Sequence, residues 1–338
     1  MANQRGPLLA LSATLCAQAI DQPDPNRLNQ KQWDELHHFY KGKRVLVTGG
    51  CGFIGSHIAE KLVSLDAQVI ILDNLASGYE TNIEHIKEHV TFLQGTVADI
   101  QTCLNATKGV DAIFHLAAFV SVPKSTEDPF TCNQSNVIGT FNILEAARIN
   151  GVTRLVFSSS SAVYGPIDHT CSEDDPCNPI SPYGTSKLIG EFYCKQYTDC
   201  FGINTVCLRY FNVYGPRQDP NAAYAAVVAK FTNQMKDNKP ITIFGDGLQT
   251  RDFVHVTQVA EANLFAAMNA PHIAGQVFNI ATGTSINLLQ LIQVLKKDFP
   301  TYSAETIIAP ARAGDVKHTS ADCSKYQQLV SHTDSSKR

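Results

Sequence analysis

Thr48-Gly49-Gly50-Cys51-Gly52-Phe53-Ile54-Gly55 decides the fold. The stretch satisfies Gly-x-Gly-x-x-Gly from Gly50 and Gly-x-x-Gly-x-x-Gly from Gly49. It follows a short β-branched run, Arg44-Val-Leu-Val-Thr48. It precedes Phe53–Leu65, in which Ile54, Ile58, Leu62 and Leu65 share one helical face. Strand, glycine turn and helix in this order suit a dinucleotide pyrophosphate. The turn must leave the strand tightly, the backbone must approach the phosphates, and the helix must pack on the strand. Side chains would block all three. The helix N-terminus adds free N–H groups and a positive dipole end. Asp73 closes the next apolar run, Val69–Leu72, 18 residues past Gly55. A carboxylate there accepts hydrogen bonds from an adenosine ribose and repels the extra phosphate of NADP. A structural glycine turn with a surface aspartate is the competing reading; the strand–turn–helix context favours NAD.

Strand-like runs recur at Val90–Leu93, Ala112–His115, Arg154–Ser158 and Asn204–Arg209. Helical segments lie between several of them, notably Asn136–Asn150 and Pro182–Phe201. Alternating strands and helices imply βαβ units and a parallel sheet covered on both faces. The fold class expected is α/β: a Rossmann-type doubly wound parallel sheet with a smaller mixed α/β substrate-binding lobe. After Tyr214 the texture shifts to turn signals, Gly215-Pro216-Arg217 and Asp219-Pro220-Asn221. The division expected is an N-terminal arm or helix over 1–40, with a linker-like Gln22–Asn29 and a short helix at Gln32–Tyr40. A Rossmann domain follows over 41–215 plus 253–281, and a second lobe over 216–252 plus 282–338.

Composition removes several function classes. The chain has 338 residues, 44% hydrophobic and 17% charged, with a formal net charge of -4. That balance argues against a broad nucleic-acid-binding surface and against a solvated disordered chain. No apolar run approaches the roughly 18–20 residues that a membrane crossing needs. The Leu8–Leu11 run is too short for a secretory signal. The ten cysteines contain no Cys-x-x-Cys, which argues against a structural zinc site, and a chain this long buries its own core without disulfides. Reduced thiols in a cytoplasmic protein, with no metal, are the expectation.

Ser181-Pro-Tyr183-Gly-Thr-Ser-Lys187 supplies the chemistry. Ser181 suits an N-cap and Pro182 the first helical position. Tyr183 and Lys187 then lie on one helix face. A free phenol, with a pKa of about 10, is a poor base at neutral pH. A nearby lysine and a cationic nicotinamide both favour phenolate. That gives a base able to take a proton from a substrate hydroxyl. Tyr-x-x-x-Lys is common by chance on amphipathic helices. Here Ser158-Ser-Ser160-Ser161-Ala-Val-Tyr-Gly165 closes the preceding strand, where ligands of parallel sheets bind. Ser160 and Ser161 are candidates to hold the reacting oxygen, against the plainer reading of turn-forming serines.

Together the glycine cradle, Asp73, His115-Leu116-Ala117-Ala118, Ser160, Tyr183 and Lys187 resemble the extended short-chain dehydrogenase/reductases, from about Lys43 to about Asp322. More narrowly the chain resembles the UDP-hexose 4-epimerases. Its Arg209–Val228 stretch is similar to the bacterial branch acting on UDP-N-acetylglucosamine and UDP-N-acetylgalactosamine. The resemblance implies Ser160, Tyr183 and Lys187 as the catalytic trio. It implies a cofactor set of Gly49, Gly52, Phe53, Ile54, Gly55, Asp73, Asn74, Val97, Leu116, Ala117, Asn136, Tyr183, Lys187 and Tyr210. The nucleotide sugar would meet Ser121, Ser160, Ser161, Asn212, Val227, Arg251, Arg312, Asp315 and Thr319. Arginine suits diphosphate because its planar fork matches phosphate oxygens. Thr319 falls where glucose-only members carry a bulky tyrosine, which leaves room for an N-acetyl group. Ser161-Ala162 stands where dehydratases and decarboxylating members carry an acid just after the catalytic Ser/Thr. The chain departs from the family at Thr96, where an adenine-contacting aspartate is usual, and at Ala222, where glycine is common.

The activity implied is NAD-dependent inversion at C4 through a 4-keto sugar, with UDP-glucose or UDP-glucuronate epimerisation, or a non-catalytic nucleotide-binding module, as alternatives. A homodimer formed through two helices, with Asn136–Asn150 and Pro182–Phe201 as the candidates, and a product for surface polysaccharide or lipopolysaccharide synthesis are further implications of the resemblance. Family members continue past Ala321-Asp322 into another helical segment; sixteen residues follow Asp322 here, which predicts either a trimmed second lobe or an altered terminus.

Overall fold

The computed structural model describes residues 27–219, 227–310 and 319–332. The Leu8–Leu11 run, most of the Gln22–Asn29 arm, Ala222 and the polar end 333–338 lie outside them. β1 (Arg44–Thr48) pairs in parallel with β2 (Gln68–Asp73) on one side and with β4 (Ala112–His115) on the other. β3 (Val90–Gln94) extends the sheet past β2. Past β4 come β5 (Arg154–Ser160), β6 (Asn204–Tyr210) and β10 (Gln276–Ile280), so the order is β10-β6-β5-β4-β1-β2-β3, parallel throughout. The chain reverses its direction of travel between β1 and β4. Such a switch point opens a crevice at the carboxyl ends of the two strands, where ligands of these sheets bind.

Successive strand residues face opposite layers. Val45 and Val47 of β1 enter one core with Ile58, Leu62, Phe114 and Phe265. Leu46 enters the other with Ile113, Leu144, Leu155 and Phe157. The first layer carries α1 (Gln30–Tyr40), α2 (Phe53–Ser64), α9 (Val256–Asn269) and α11 (Ser324–His332). The second carries α3 (Ile100–Ala106), α6 (Gly139–Ile149) and α7 (Pro182–Phe201). Two short helices, α4 (Val122–Glu127) and α5 (Pro129–Asn133), lead into α6. A smaller core of Tyr214, Phe231, Ile243, Leu291 and Leu295 holds the rest together. It involves α8 (Val227–Lys236), α10 (Leu288–Lys296) and two small sheets. One is β11-β9-β7 (Ser285–Asn287, Thr250–His255, Asn212–Tyr214); the other is β12-β8 (Thr306–Ala309, Ile241–Phe244).

Two boundaries differ from expectation for local reasons. α1 begins at Gln30 rather than Gln32, because Asn29 caps it. The Asn29 side chain accepts the Gln32 N–H at 3.0 Å while Gln32 Oε1 accepts the Asn29 N–H at 2.8 Å. The helix is docked rather than free. Leu36 is fully buried, Tyr40 donates its hydroxyl to the Leu264 carbonyl, and Gln32 donates to the Val330 carbonyl, both at 2.8 Å. The expected helix Asn136–Asn150 is regular only from Gly139, and Gln134–Ile138 form a π-type turn. That extra residue per turn carries Asn136 inward, where its side chain joins two other segments, as such bulges often do near sites.

Among the described residues the nine cysteines form no disulfide, and no group of three His, Cys, Asp or Glu could hold a metal. No described helix is long and apolar enough to cross a membrane.

Candidate active site

The glycine turn closes the end of β1. Gly49 is left-handed (φ +70°) and donates its N–H to the Leu72 carbonyl at 2.8 Å. A Cβ on Gly55 would stand 2.2 Å from the Gly49 carbonyl oxygen, so any side chain there would force the turn open. Asp73, at the end of β2, accepts the Cys51 N–H at 2.9 Å and the Leu75 N–H at 2.8 Å. Burial pushes its carboxyl upward, and these N–H groups oppose the shift. Each carboxylate oxygen keeps accepting capacity for a ribose. Asn74 is exposed and accepts the Ala76 N–H. The turn, the start of α2 at Phe53 and Ile54, and Asp73 therefore fit a dinucleotide, which is the test NAD must pass.

Opposite the turn, Thr48 Oγ1 accepts the N–H groups of Leu116 and Ala117, each at 3.2 Å. Its own proton goes to His115 Nδ1 at 2.7 Å. Thr140 donates to the Asn136 carbonyl at 2.6 Å, so His115 Nε2, 3.1 Å from Thr140 Oγ1, carries the ring proton. Burial, with Lys187 nearby, lowers His115 to about 3, so the ring stays neutral. The expected cofactor segments thus share one hydrogen-bonded frame. Val97 is buried against Gly139, and its carbonyl accepts from Asn142 at 2.9 Å. Thr96, which replaces the family aspartate, turns its hydroxyl to the Ala98 N–H. The Tyr210 hydroxyl is used in the core, donating to Asn263 at 2.9 Å.

Ser160 ends β5, and Ser161–Val163 form one tight turn after it. α7 starts beside this turn because Gly184 lets it; a Cβ there would lie 2.6 Å from the Ala162 carbonyl oxygen. Ser181 caps the helix through the Gly184 N–H at 3.1 Å, with Pro182 in the first turn, as its sequence requires. Tyr183 is half-buried, with the Ser160 hydroxyl near its phenol. Burial raises the phenol, and the Ser160 hydroxyl works against that. Lys187 is buried and donates to the Ser158 carbonyl at 2.7 Å, with its ammonium 5.9 Å from the Tyr183 ring centre. Burial lowers it to about 8. The ammonium is held by a carbonyl, and desolvation dominates both groups.

Asn136 is almost wholly buried and spends its side chain on protein. It accepts the Phe119 N–H at 2.6 Å and donates to Ser186 at 2.9 Å. Its place is behind the catalytic helix, where it ties the 119 segment to α7. Ser121 caps α4, and Ser125 accepts the Tyr183 N–H at 3.2 Å.

The expected substrate residues form a second cluster. Asn212 donates to the Asp252 carbonyl at 2.9 Å and to Thr319 Oγ1 at 3.3 Å. Thr319 is held by the Thr250 carbonyl at 3.1 Å, and Ser285 donates to the Thr319 carbonyl at 2.8 Å. Arg251 is half-buried on β9 and donates to the Thr250 carbonyl. Val227 opens α8, half-buried. Arg312 and Asp315 lie outside the described residues.

One feature near the site escaped sequence reasoning. Glu191 and Arg209, both about 95% buried, form a paired contact of 2.9 and 2.7 Å, and Ser159 donates to the same carboxylate. The available signal was a charged residue one turn past Lys187, and another inside an apolar strand.

Residues 45–281 match the NAD dependent epimerase/dehydratase family. A UDP-glucose 4-epimerase of Mycolicibacterium smegmatis is 36% identical, over 85% of this chain and 92% of its own. The solved UDP-N-acetylglucosamine 4-epimerase of Methanobrevibacter ruminantium, in complex with UDP-N-acetylmuramic acid, superposes with a TM-score of 0.81 at 38% identity, covering 86% of this chain and 92% of that one. The Thermus thermophilus UDP-glucose 4-epimerase, solved with NAD, gives 0.77 at 36% identity, over 86% and 93%.

Proposed function

Because the chain belongs to the NAD dependent epimerase/dehydratase family, we propose that it inverts C4 of UDP-N-acetylglucosamine and UDP-N-acetylgalactosamine. The coarser statement is firm: it is an NAD-dependent enzyme of the UDP-sugar 4-epimerase group. The observation that carries C4 inversion is the convergence of Ser160, at the carboxyl end of β5, with Tyr183 and buried Lys187 at the head of α7.

Gly49, Gly52, Gly55 and Asp73 would hold NAD, with Lys187 at the nicotinamide ribose. When bound, NAD supplies the hydride-accepting and hydride-returning chemistry. Tyr183 takes the proton of the 4-hydroxyl and later gives it back to the 4-keto oxygen. Ser160 hydrogen-bonds that oxygen and orients the phenol. Lys187 holds positive charge close to Tyr183, which favours phenolate once a second cation is near. Asn212 and Arg251, with Arg312 and Asp315, hold the uridine diphosphate while the sugar turns. The division into a Rossmann domain over 41–215 plus 253–281, and a nucleotide-sugar lobe over 216–252 plus 282–338, belongs to the same reading.

Thr319 supports the N-acetyl preference through its small side chain beside Asn212. Wild-type protein is expected to convert UDP-N-acetylglucosamine, and Thr319→Tyr to lose about tenfold or more of that rate relative to UDP-glucose. A substrate panel read by chromatography checks both. No conversion of either sugar, or of UDP-glucuronate, would remove the epimerase reading. Conversion of UDP-glucose alone would remove only the N-acetyl preference.

A homodimer is part of the proposal. Phe141 and Ile149 of α6 and Phe192 and Phe201 of α7 are exposed, with Phe192 at 65%. Apolar side chains on two neighbouring helices are the usual mark of a covered face. Light scattering is expected to give twice the 36.9 kDa chain mass; a monomer at micromolar concentration would refute it.

A further inference from the structure

The loop that follows β7 is pinned to the helix that follows the glycine cradle. Arg217 sits in the left-handed region (φ +66°), which residues other than glycine seldom adopt. A conformation of this kind persists where its surroundings hold it. Arg217 Nη1 donates to Ser56 at 3.2 Å, and Nη2 pairs with Glu60. Glu60 also meets His85 at 3.3 Å. One residue earlier, the Pro216 carbonyl accepts from His57 Nε2 at 3.0 Å. Two residues later, Asp219 accepts the Tyr79 hydroxyl at 3.1 Å. Tyr79 in turn donates its N–H to the Cys51 carbonyl of the cradle itself, at 3.0 Å. Four contacts therefore join three loop residues, Pro216, Arg217 and Asp219, to the first two turns of α2 and, through Tyr79, to the cradle.

The other end of this short segment is Asn212, on β7, which pairs with β9 and reaches Thr319. Only Val213 to Pro216 separate the two. Gly215 leaves no slack, because a Cβ there would lie 2.6 Å from Val256 and 3.1 Å from His255.

We propose that Arg217 is a positioning residue for nucleotide-sugar binding. It locks β7, and with it Asn212, to the cofactor helix. The inference rests on the proposed function for the identity of the ligand, but the lock itself does not. Coupling of this sort is reciprocal, so the lock also lets cofactor occupancy and nucleotide affinity influence each other.

The test uses the full chain with its NAD retained, and UDP as the probe. In Arg217→Ala, UDP affinity measured by calorimetry is expected to fall about tenfold, with bound NAD per chain unchanged. KM for the nucleotide sugar should rise by a similar factor while kcat moves less than threefold. Arg217→Lys, which can keep the Glu60 pair, should recover part of the loss; Glu60→Gln should reproduce part of it should Arg217→Ala fold poorly. UDP affinity within twofold of wild type in Arg217→Ala and Glu60→Gln overturns the proposal, as does a loss of kcat with KM unchanged. Amide hydrogen exchange across 212–219 separates this from the ligand's identity. If the wild type binds no UDP, the nucleotide-sugar reading falls and exchange decides the lock. Faster exchange of β7 in Arg217→Ala then supports it, and unchanged exchange overturns it.

Discussion

Tyr183→Phe is expected to lower kcat by about 10³-fold, roughly 4 kcal/mol of transition-state stabilisation, while NAD stays bound and the fold stays intact. The phenol oxygen is the group lost, and among the described residues neither Lys187 nor His115 can take the substrate proton in its place. Lys187 is held by the Ser158 carbonyl. His115 is committed to Thr48 and Thr140 and is kept neutral by burial. In the protein alone, burial holds Tyr183 above its ordinary value and Lys187 near 8. The resting site at pH 7 therefore carries phenol and a largely protonated lysine. Turnover then requires the phenol to be lowered by charge that arrives with the ligands. Bound NAD per chain and stopped-time conversion of UDP-sugar check the prediction. Activity within tenfold of wild type would take the role of base away from Tyr183.

Glu191→Ala is expected to cost about 3–5 kcal/mol, because it leaves the Arg209 guanidinium buried without its partner. For a chain of this size that is a fall in melting temperature on the order of 10 °C. Ser159 also loses its acceptor, at the strand end next to Ser160. The double replacement Glu191→Leu with Arg209→Met should recover much of the loss. Removing both charges together avoids the unpaired one, and apolar packing can match a buried ion pair. Calorimetric melting of the three proteins decides it. A single-variant melting point within 2 °C of wild type would show that the pair carries little.

The cradle was legible because its chemistry is local. Gly49 to Gly55 and Asp73 lie within one βαβ step, and Gly52 and Gly55 answer to the Gly49 carbonyl, a neighbour that the motif itself supplies. The parallel strands were legible for a related reason, since strands buried on both faces read as unbroken apolar runs. Ser181, Pro182 and Gly184 announced the head of α7 equally locally. What the sequence hid was pairing at a distance. Glu191 and Arg209 read as two unrelated charges until α7 lies on β6. The π-type turn at Gln134–Ile138 has no period of its own to detect, and its cause is Asn136 reaching Phe119 and Ser186. In the smaller lobe, β7 and β11 have three residues each, too few to show alternation. Asn212 and Thr319 meet across 107 positions, so the substrate cluster was visible only by resemblance.

The docking of α1 sets a schedule for synthesis. This helix leaves the ribosome ahead of every described strand, yet its partners are late. Tyr40 waits 224 positions for Leu264, and Gln32 waits 298 for Val330. At about 5–20 residues per second, the second wait is roughly 15–60 s. Tyr40, fully buried at the end, lacks its Leu264 partner for about three-quarters of that time. A nascent chain of this protein therefore carries the uncovered apolar face of α1 until Val330 has been made, and a ribosome-associated chaperone has that interval in which to bind it.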